Sequence, residues 1–276
     1  KVEKKIYWQL EYHPTNQTIS SEEFLNDIKQ LAKLSSIADV KQAVMLSGGL
    51  DSGLLAYQFT QNKIDLDALT IYNNSGNEQN ELKFAESNAR NANLSIKAFE
   101  INDEVDLQTI KEYCLAEVEP NTSPEPTYFL SKKAKENNYI VLHNALGLDE
   151  LFYGYSYYVK AKKIQKFPGF IWKFGGYFLK GSKKRKHDEI SKFGLESTPF
   201  VMRSIASWNE IQKLFQKYGS ENWEHPILAL LKQVKTSNQS FDQMPLLKKI
   251  SYLDFYYYIS SHHSLRSDLP SMKNET

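Results

Sequence analysis

Gln42-Ala43-Val44-Met45-Leu46-Ser47-Gly48-Gly49-Leu50-Asp51-Ser52 is the stretch that decides the fold of this 276-residue chain. A short apolar run, Gln42 to Leu46, meets a glycine pair, and Leu54, Leu55, Tyr57 and Phe59 follow at helical spacing. Strand, tight turn and helix are predicted in that order. Such a turn presents backbone N–H groups at the positive end of a helix dipole, where an anion is stabilised. Gly48 and Gly49 let the backbone come close to phosphate oxygens, and Ser47 and Ser52 add hydroxyl donors. The lysine that ends a G-x-x-x-x-G-K-[ST] loop is missing, so this is a different phosphate loop. Asp51 would repel bare phosphate, and its presence is predicted to serve Mg²⁺ held against the phosphates. The bland alternative is that the glycines only make the turn and that Asp51 or Ser52 caps the helix.

Working outward, the same alternation repeats. Strands are predicted at Leu66–Tyr72, Leu94–Ile101 and Tyr139–Leu142, and helices at Glu78–Ala92, Leu107–Val118 and near Tyr128–Lys135. Before the loop, Phe24, Ile28, Leu31 and Leu34 predict a lead-in helix behind a serine cap. Strands alternating with helices imply βαβ units, hence an α/β fold with an open, mainly parallel sheet covered by helices on both faces. Beyond residue 155 the pattern turns helical, as in Ser204–Tyr218 and Leu246–Ser261. The expected organisation is an α/β core over residues 1–155 and a mainly helical extension over 156–276.

Composition is that of an ordinary globular chain: 34 Lys+Arg against 33 Asp+Glu, net charge +1, and 41% hydrophobic residues. Disordered, fibrous and mini-protein classes are excluded. Cys114 is the single cysteine, so no intramolecular disulfide can form, and it is expected in the core on an apolar helix face. No apolar run reaches the ~18 to 20 residues that span a bilayer, and the start lacks a signal-peptide stretch. A cytoplasmic location is expected.

SGGLDS between strand and helix resembles the loop of the N-type ATP pyrophosphatases (PP-loop, adenine nucleotide alpha hydrolase-like fold), which cleave ATP between the α- and β-phosphates. Downstream, YIVLHNALGLDELFYGY resembles the asparagine synthetase stretch S-G-E-G-x-D-E-L-F-G-G-Y, with Gly147, Asp149, Glu150, Leu151, Phe152, Gly154 and Tyr155 matching. Leu69-Thr70-Ile71, Asn77-Glu78 to Ala85, Glu119-Pro120, Tyr252-Leu253-Asp254 and Leu265 to Met272 resemble further segments of that family. The resemblance thus runs from about Ile6 to the last residue. The family continues beyond the point matched by Met272 and carries an N-terminal glutaminase domain, so an internal fragment with a glutaminase upstream in the full-length chain is expected.

What the resemblance implies is an ATP- and Mg²⁺-dependent carbon–nitrogen ligase that adenylates a carboxylate and passes it to nitrogen, with aspartate to asparagine as the leading reaction. The small-molecule partners are a carboxylate and a nitrogen donor. Ser47, Gly48, Gly49 and Ser52 would hold pyrophosphate. Asp51, Asp149 and Glu150 would be the catalytic residues, with Asp51 and Asp149 binding Mg²⁺ through the phosphates. Backbone around Leu46, Ile71 and Asn144, with Gly147, would flank the nucleotide. Proton removal from the attacking nitrogen needs a base, yet Leu146 stands where the family has its S-G-E-G glutamate, and leucine cannot take a proton. Another amine, another acid (peptide, lactam or surface-sugar modification) or a non-catalytic nucleotide- or RNA-binding module stays open. Tyr153 replaces a glycine of L-F-G-G-Y, a change expected to narrow the pocket mouth. His143 reads as a packed strand-end residue, and His262-His263 lacks carboxylate or cysteine partners at metal-ligand spacing. Tyr157 to Lys186 carries ten Lys/Arg, no Asp or Glu, and interleaved aromatics, a composition suited to RNA or an anionic surface, though lysines solvating basic helices account for it as well.

Overall fold

β1 (Gln42–Met45) is central in a four-stranded parallel sheet of order β3-β2-β1-β4, with β2 (Asp67–Tyr72), β3 (Ile96–Glu100) and β4 (Val141–His143). Val44 pairs with Ala68 on one side and with His143 on the other. The computed structural model describes residues 18–73, 79–101, 106–116, 126–169, 175–218 and 224–275, together with Glu3, Lys5, Leu10, Tyr12 and Trp172. Asn77, Glu78, Glu119, Pro120, Phe170 and Phe174 lie outside them, as do the side chains of His262 and His263.

Alternation of side chains along a strand explains why helices cover both faces. Val44, Leu46 and Ala68 point into one core with Ala32, Ala56, Phe59, Ala89 and Ala92, contributed by α1 (Ser21–Ser35), α2 (Leu50–Gln61) and α3 (Gln79–Ala92). Ala43 and Leu69 point the other way, against Leu130, Ala134 and Tyr139 of the α5 region (α5, Pro126–Glu136). A further helix, α4 (Leu107–Ala116), follows β3.

Ser20 caps α1 in a reciprocal capping box with Glu23. The inner stripe of α1 runs through half-buried Phe24 and Ile28 to buried Ala32, spaced four apart. Leu31 and Leu34, expected on it, are exposed, because spacing of three and four together admits two neighbouring faces and packing chose one. Cys114 is likewise exposed, not in the core; its neighbour Tyr113 is the buried residue of α4. The fourth strand begins later than expected. Asn138 at φ 61° ends the α5 turn, and Tyr139 turns inward to donate its hydroxyl to Asp67.

Two compact units result. The sheet unit is Asn16–Leu148 with Ser260–Thr276. Its C-terminal helix (Ser264–Lys273) is followed by Asn274, whose amide donates to Ser131 Oγ at 2.8 Å, and by Glu275, paired with Lys135 at 2.7 Å.

The other unit, Lys1–Thr15 with Asp149–Ile259, is helical among its described residues. Ile190, Phe193, Val201, Leu231, Val234, Phe241 and Leu253 are among the residues that form its larger core, and Tyr157, Tyr158, Ala161 and Ile250 a second one. The helix expected from Ser204 begins at Trp208, behind a Ser207–Glu210 capping box. Leu246–Ser261, expected as one α-helix, is α-helical to Leu253 and widens into π-turns over Asp254–His263. No described helix is long and apolar enough to cross a membrane.

Candidate active site

In the order β3-β2-β1-β4 the chain winds outward from β1 through β2 to β3 and then returns to the opposite side of β1 as β4. The carboxyl ends of β1 and β4 therefore flank a topological switch point, where open α/β sheets bind ligands. Ser47–Ser52 leaves one of those ends and Asn144–Gly147 the other, both within the sheet unit. Leu46 prolongs the pairing through a 2.9 Å bond from its N–H to Leu69 O.

The loop is closed largely by its own atoms. Ser52 Oγ accepts from Ser47 N at 3.1 Å and lies 3.0 Å from Ser47 Oγ, while Ser47 Oγ accepts from Gly49 N at 3.1 Å. The two hydroxyls expected to grip an anion instead hold the turn together here. Gly49 is the N-cap of α2, and no side chain caps that helix. Asp51 and Ser52 lie in its first turn, past the N-cap position. The first-turn amides of an α-helix have no i−4 carbonyl and carry the positive end of its dipole. Asp51 is half-buried at this same end.

Contacts from α3 complete the loop, and sequence reasoning missed them. Asn88 Nδ2 donates to Ser47 O and Gly49 O, both at 3.2 Å. A Cβ on Gly48 would stand 2.7 Å from Phe84 Cβ, and one on Gly53 would stand 3.0 Å from Asn88 Nδ2. The glycines thus serve helix–loop packing. Only the four-residue spacing of Phe84 and Asn88 hinted at this face, and nothing in the sequence said that it faces the loop.

Leu46 is buried in the core, Ile71 is half-buried on β2, and Asn144 is exposed just after β4. The structure thus gathers these three sites at the ends of adjacent strands. Gly147 adopts φ 102°, a conformation that favours glycine. Leu146 is 41% exposed. His143 is packed: its Nε2 lies 2.8 Å from Gln42 Oε1, its ring is 4.7 Å from Phe59, and burial pulls its pKa below the ordinary value.

Asp149 and Glu150 belong to the helical unit. A Cβ on Gly154 would fall 1.9 Å from Asp149 Oδ1, so glycine is required there for the aspartate to keep its place. Tyr153 has φ 63° and packs on Tyr158, with ring centres 5.2 Å apart; this left-handed backbone favours glycine, and the tyrosine bears its cost. Glu150, expected with Asp149 as a catalytic residue, is 2% exposed and turned into the unit. Its Oε1 accepts from Tyr155 OH at 2.9 Å, and burial raises its pKa. Beside it, Asp254 accepts from Arg203 Nη1 at 2.5 Å and from the hydroxyls of Tyr157 and Tyr158 at 2.6 Å each. Tyr158 OH also donates to Glu150 O at 3.1 Å, which ties the D-E turn to this buried cluster.

Part of the basic stretch is absorbed by the fold. Arg185 donates to Ile205 O and Ser204 O, Lys186 to Met202 O, and Lys184 pairs with Asp188. Among the described residues no group of three or more His, Cys, Asp or Glu is arranged to hold a metal ion.

Residues 25–275 match the asparagine synthase family model. The chain belongs to the asparagine synthase family. Among solved structures, it is similar to an NH3-dependent NAD synthetase from Campylobacter jejuni, at 19% identity and a TM-score of 0.35 over 83% of this chain and 98% of that one. An NMN synthetase from Francisella tularensis matches at 15% identity and a TM-score of 0.36, over 89% and 96% of the two chains. A comparison with curated proteins finds no match.

Proposed function

We propose that this member of the asparagine synthase family uses ATP to activate a carboxylate and form a carbon–nitrogen bond. A carboxylate oxygen attacks the α-phosphorus, the bond to the bridging oxygen of the β-phosphate breaks, and pyrophosphate departs. A nitrogen nucleophile then attacks the acyl carbon, loses a proton and expels AMP. Little covalent help is needed from protein in the first step; positioning and charge neutralisation carry it. The loop amides at the α2 N-terminus hold the pyrophosphate oxygens, and Asp51 holds the cation. Mg²⁺, when bound, neutralises charge on the departing pyrophosphate. Asp149 takes a cation role on the strength of the family motif alone.

The observation that carries this reading is the end of α2: Gly49 caps the helix without a side chain, on the SGGLDS turn at the β1/β4 switch point. Aspartate is the first carboxylate to test. Leu146 favours a second reading, because its side chain is exposed where the family pattern has a glutamate. The same activation would then serve another acid or an amine that needs no such base.

Pyrophosphate and AMP release from ATP-Mg²⁺, scanned over carboxylic acids with ammonia present, tests both readings. Release with aspartate and formation of asparagine, lost in Asp51→Ala, supports the first. Release without asparagine supports the second. No release with any acid from folded protein refutes adenylation.

A further inference from the structure

We infer that Asn88 is a positioning residue for the phosphate loop: by holding the carbonyls of Ser47 and Gly49 it aims the N–H groups of Gly48 and Leu50 at the anion. The inference rests on the adenylation reading and deepens it. A carbonyl acceptor can be served only by a donor, so the two 3.2 Å contacts identify the amide nitrogen of Asn88 as the atom facing the loop. A trans peptide is planar, and its C=O and the following N–H point in opposite directions. Drawing the Ser47 and Gly49 carbonyls toward α3 therefore turns the next amides, those of Gly48 and Leu50, away from α3. The amide between them, Gly49 N–H, is retained by Ser47 Oγ at 3.1 Å. The Gly48 and Leu50 amides are thus turned to the same side of the turn, at the positive end of α2, where backbone N–H groups stabilise an anion. Gly53 leaves room for the Asn88 side chain, since a Cβ there would lie 3.0 Å from Nδ2.

Ser52 Oγ also approaches both carbonyls, at 3.3 Å each. Loss of Asn88 alone therefore loosens the loop without collapsing it. Binding of Mg²⁺-pyrophosphate and of adenosine is measured by calorimetric titration on the full chain, for the parent, Asn88→Ala and the isosteric Asn88→Asp. Losing two neutral hydrogen bonds predicts a roughly tenfold weaker pyrophosphate affinity in Asn88→Ala. Asn88→Asp, which sets a carboxylate against two carbonyls, should lose more. Adenosine affinity should stay unchanged in both. A purely structural Asn88 would weaken both ligands together, and that outcome overturns the inference, as does unchanged pyrophosphate affinity. If the parent binds adenosine but no pyrophosphate, the adenylation reading falls and this inference with it.

Discussion

Arg203→Met should be among the most destabilising single changes in the helical unit. Asp254 is 0% exposed and accepts three bonds, from Arg203 at 2.5 Å and from Tyr157 and Tyr158 at 2.6 Å each. Arg203 also donates to Tyr157 OH at 2.6 Å and lies 3.5 Å from the Tyr258 ring centre. Methionine fills similar volume and leaves the carboxylate buried with two hydroxyl donors and no counter-charge. Breaking a buried pair on one side costs about 3–5 kcal/mol. The Arg203 side chain is 24% exposed, so solvent relieves part of this, and about 3 kcal/mol is expected. Arg203→Lys keeps the charge but loses the forked geometry, and should cost about half as much. Removing both charges in Arg203→Met/Asp254→Asn should recover at least ~1.5 kcal/mol relative to the sum of the single losses. Urea unfolding followed by tryptophan fluorescence reads this directly, because Trp172 and Trp208 lie in the same unit. A loss below ~1 kcal/mol for Arg203→Met, or strict additivity in the double variant, would refute the reasoning.

Gly48→Ala places a Cβ 2.7 Å from Phe84 Cβ; pyrophosphate release should drop at least about tenfold as the loop shifts, at ~1–3 kcal/mol in stability. Phe84→Ala should not rescue it, since that Cβ remains. His225 accepts the Ile227 N–H at 3.1 Å as the N-cap of the Pro226–Ser237 helix, and burial, then Lys192, lowers its pKa; burial lowers that of His143 too. Below about pH 6.5 the unfolded chain binds more protons at these two sites than the folded one, so their stabilising contribution is full above that pH and is lost as pH falls through the depressed values. The melting temperature should therefore drop between pH 7.5 and 5.5, and drop less in His225→Asn, which caps without titrating; equal slopes would contradict this. Cys114 is exposed, so one thiol should react with Ellman's reagent in the native protein, and a requirement for denaturant would place it in the core instead.

Much of the fold was legible because its signals are local. Apolar runs at Gln42–Leu46 and Leu66–Tyr72, helical spacing between them and a Gly-Gly turn need no long-range information, and βαβ alternation dictates a parallel sheet. Leu31, Leu34 and Cys114 misled for a physical reason: a helix face adjacent to the buried one has nearly the same spacing, and only the neighbouring element decides which is covered. The π-turns from Asp254 to His263 carry no period that distinguishes them from an α-helix.

The candidate site divides the same way. The turn SGGLDS by itself determined a strand end, a helix start and two glycines in a row, because those follow from neighbours within six residues. Tertiary structure alone decided that Asn88 and Phe84 seal the turn, that the Ser47 and Ser52 hydroxyls face inward, that Glu150 is enclosed, and that Ser260–Thr276 joins the sheet unit. The first and last of these depend on contacts between residues 36 to 161 positions apart, and the other two on the direction in which a side chain turns once its neighbours are packed. Sequence spacing carries the period of a helix or strand; it does not carry the direction in which that element's polar side chains meet another element.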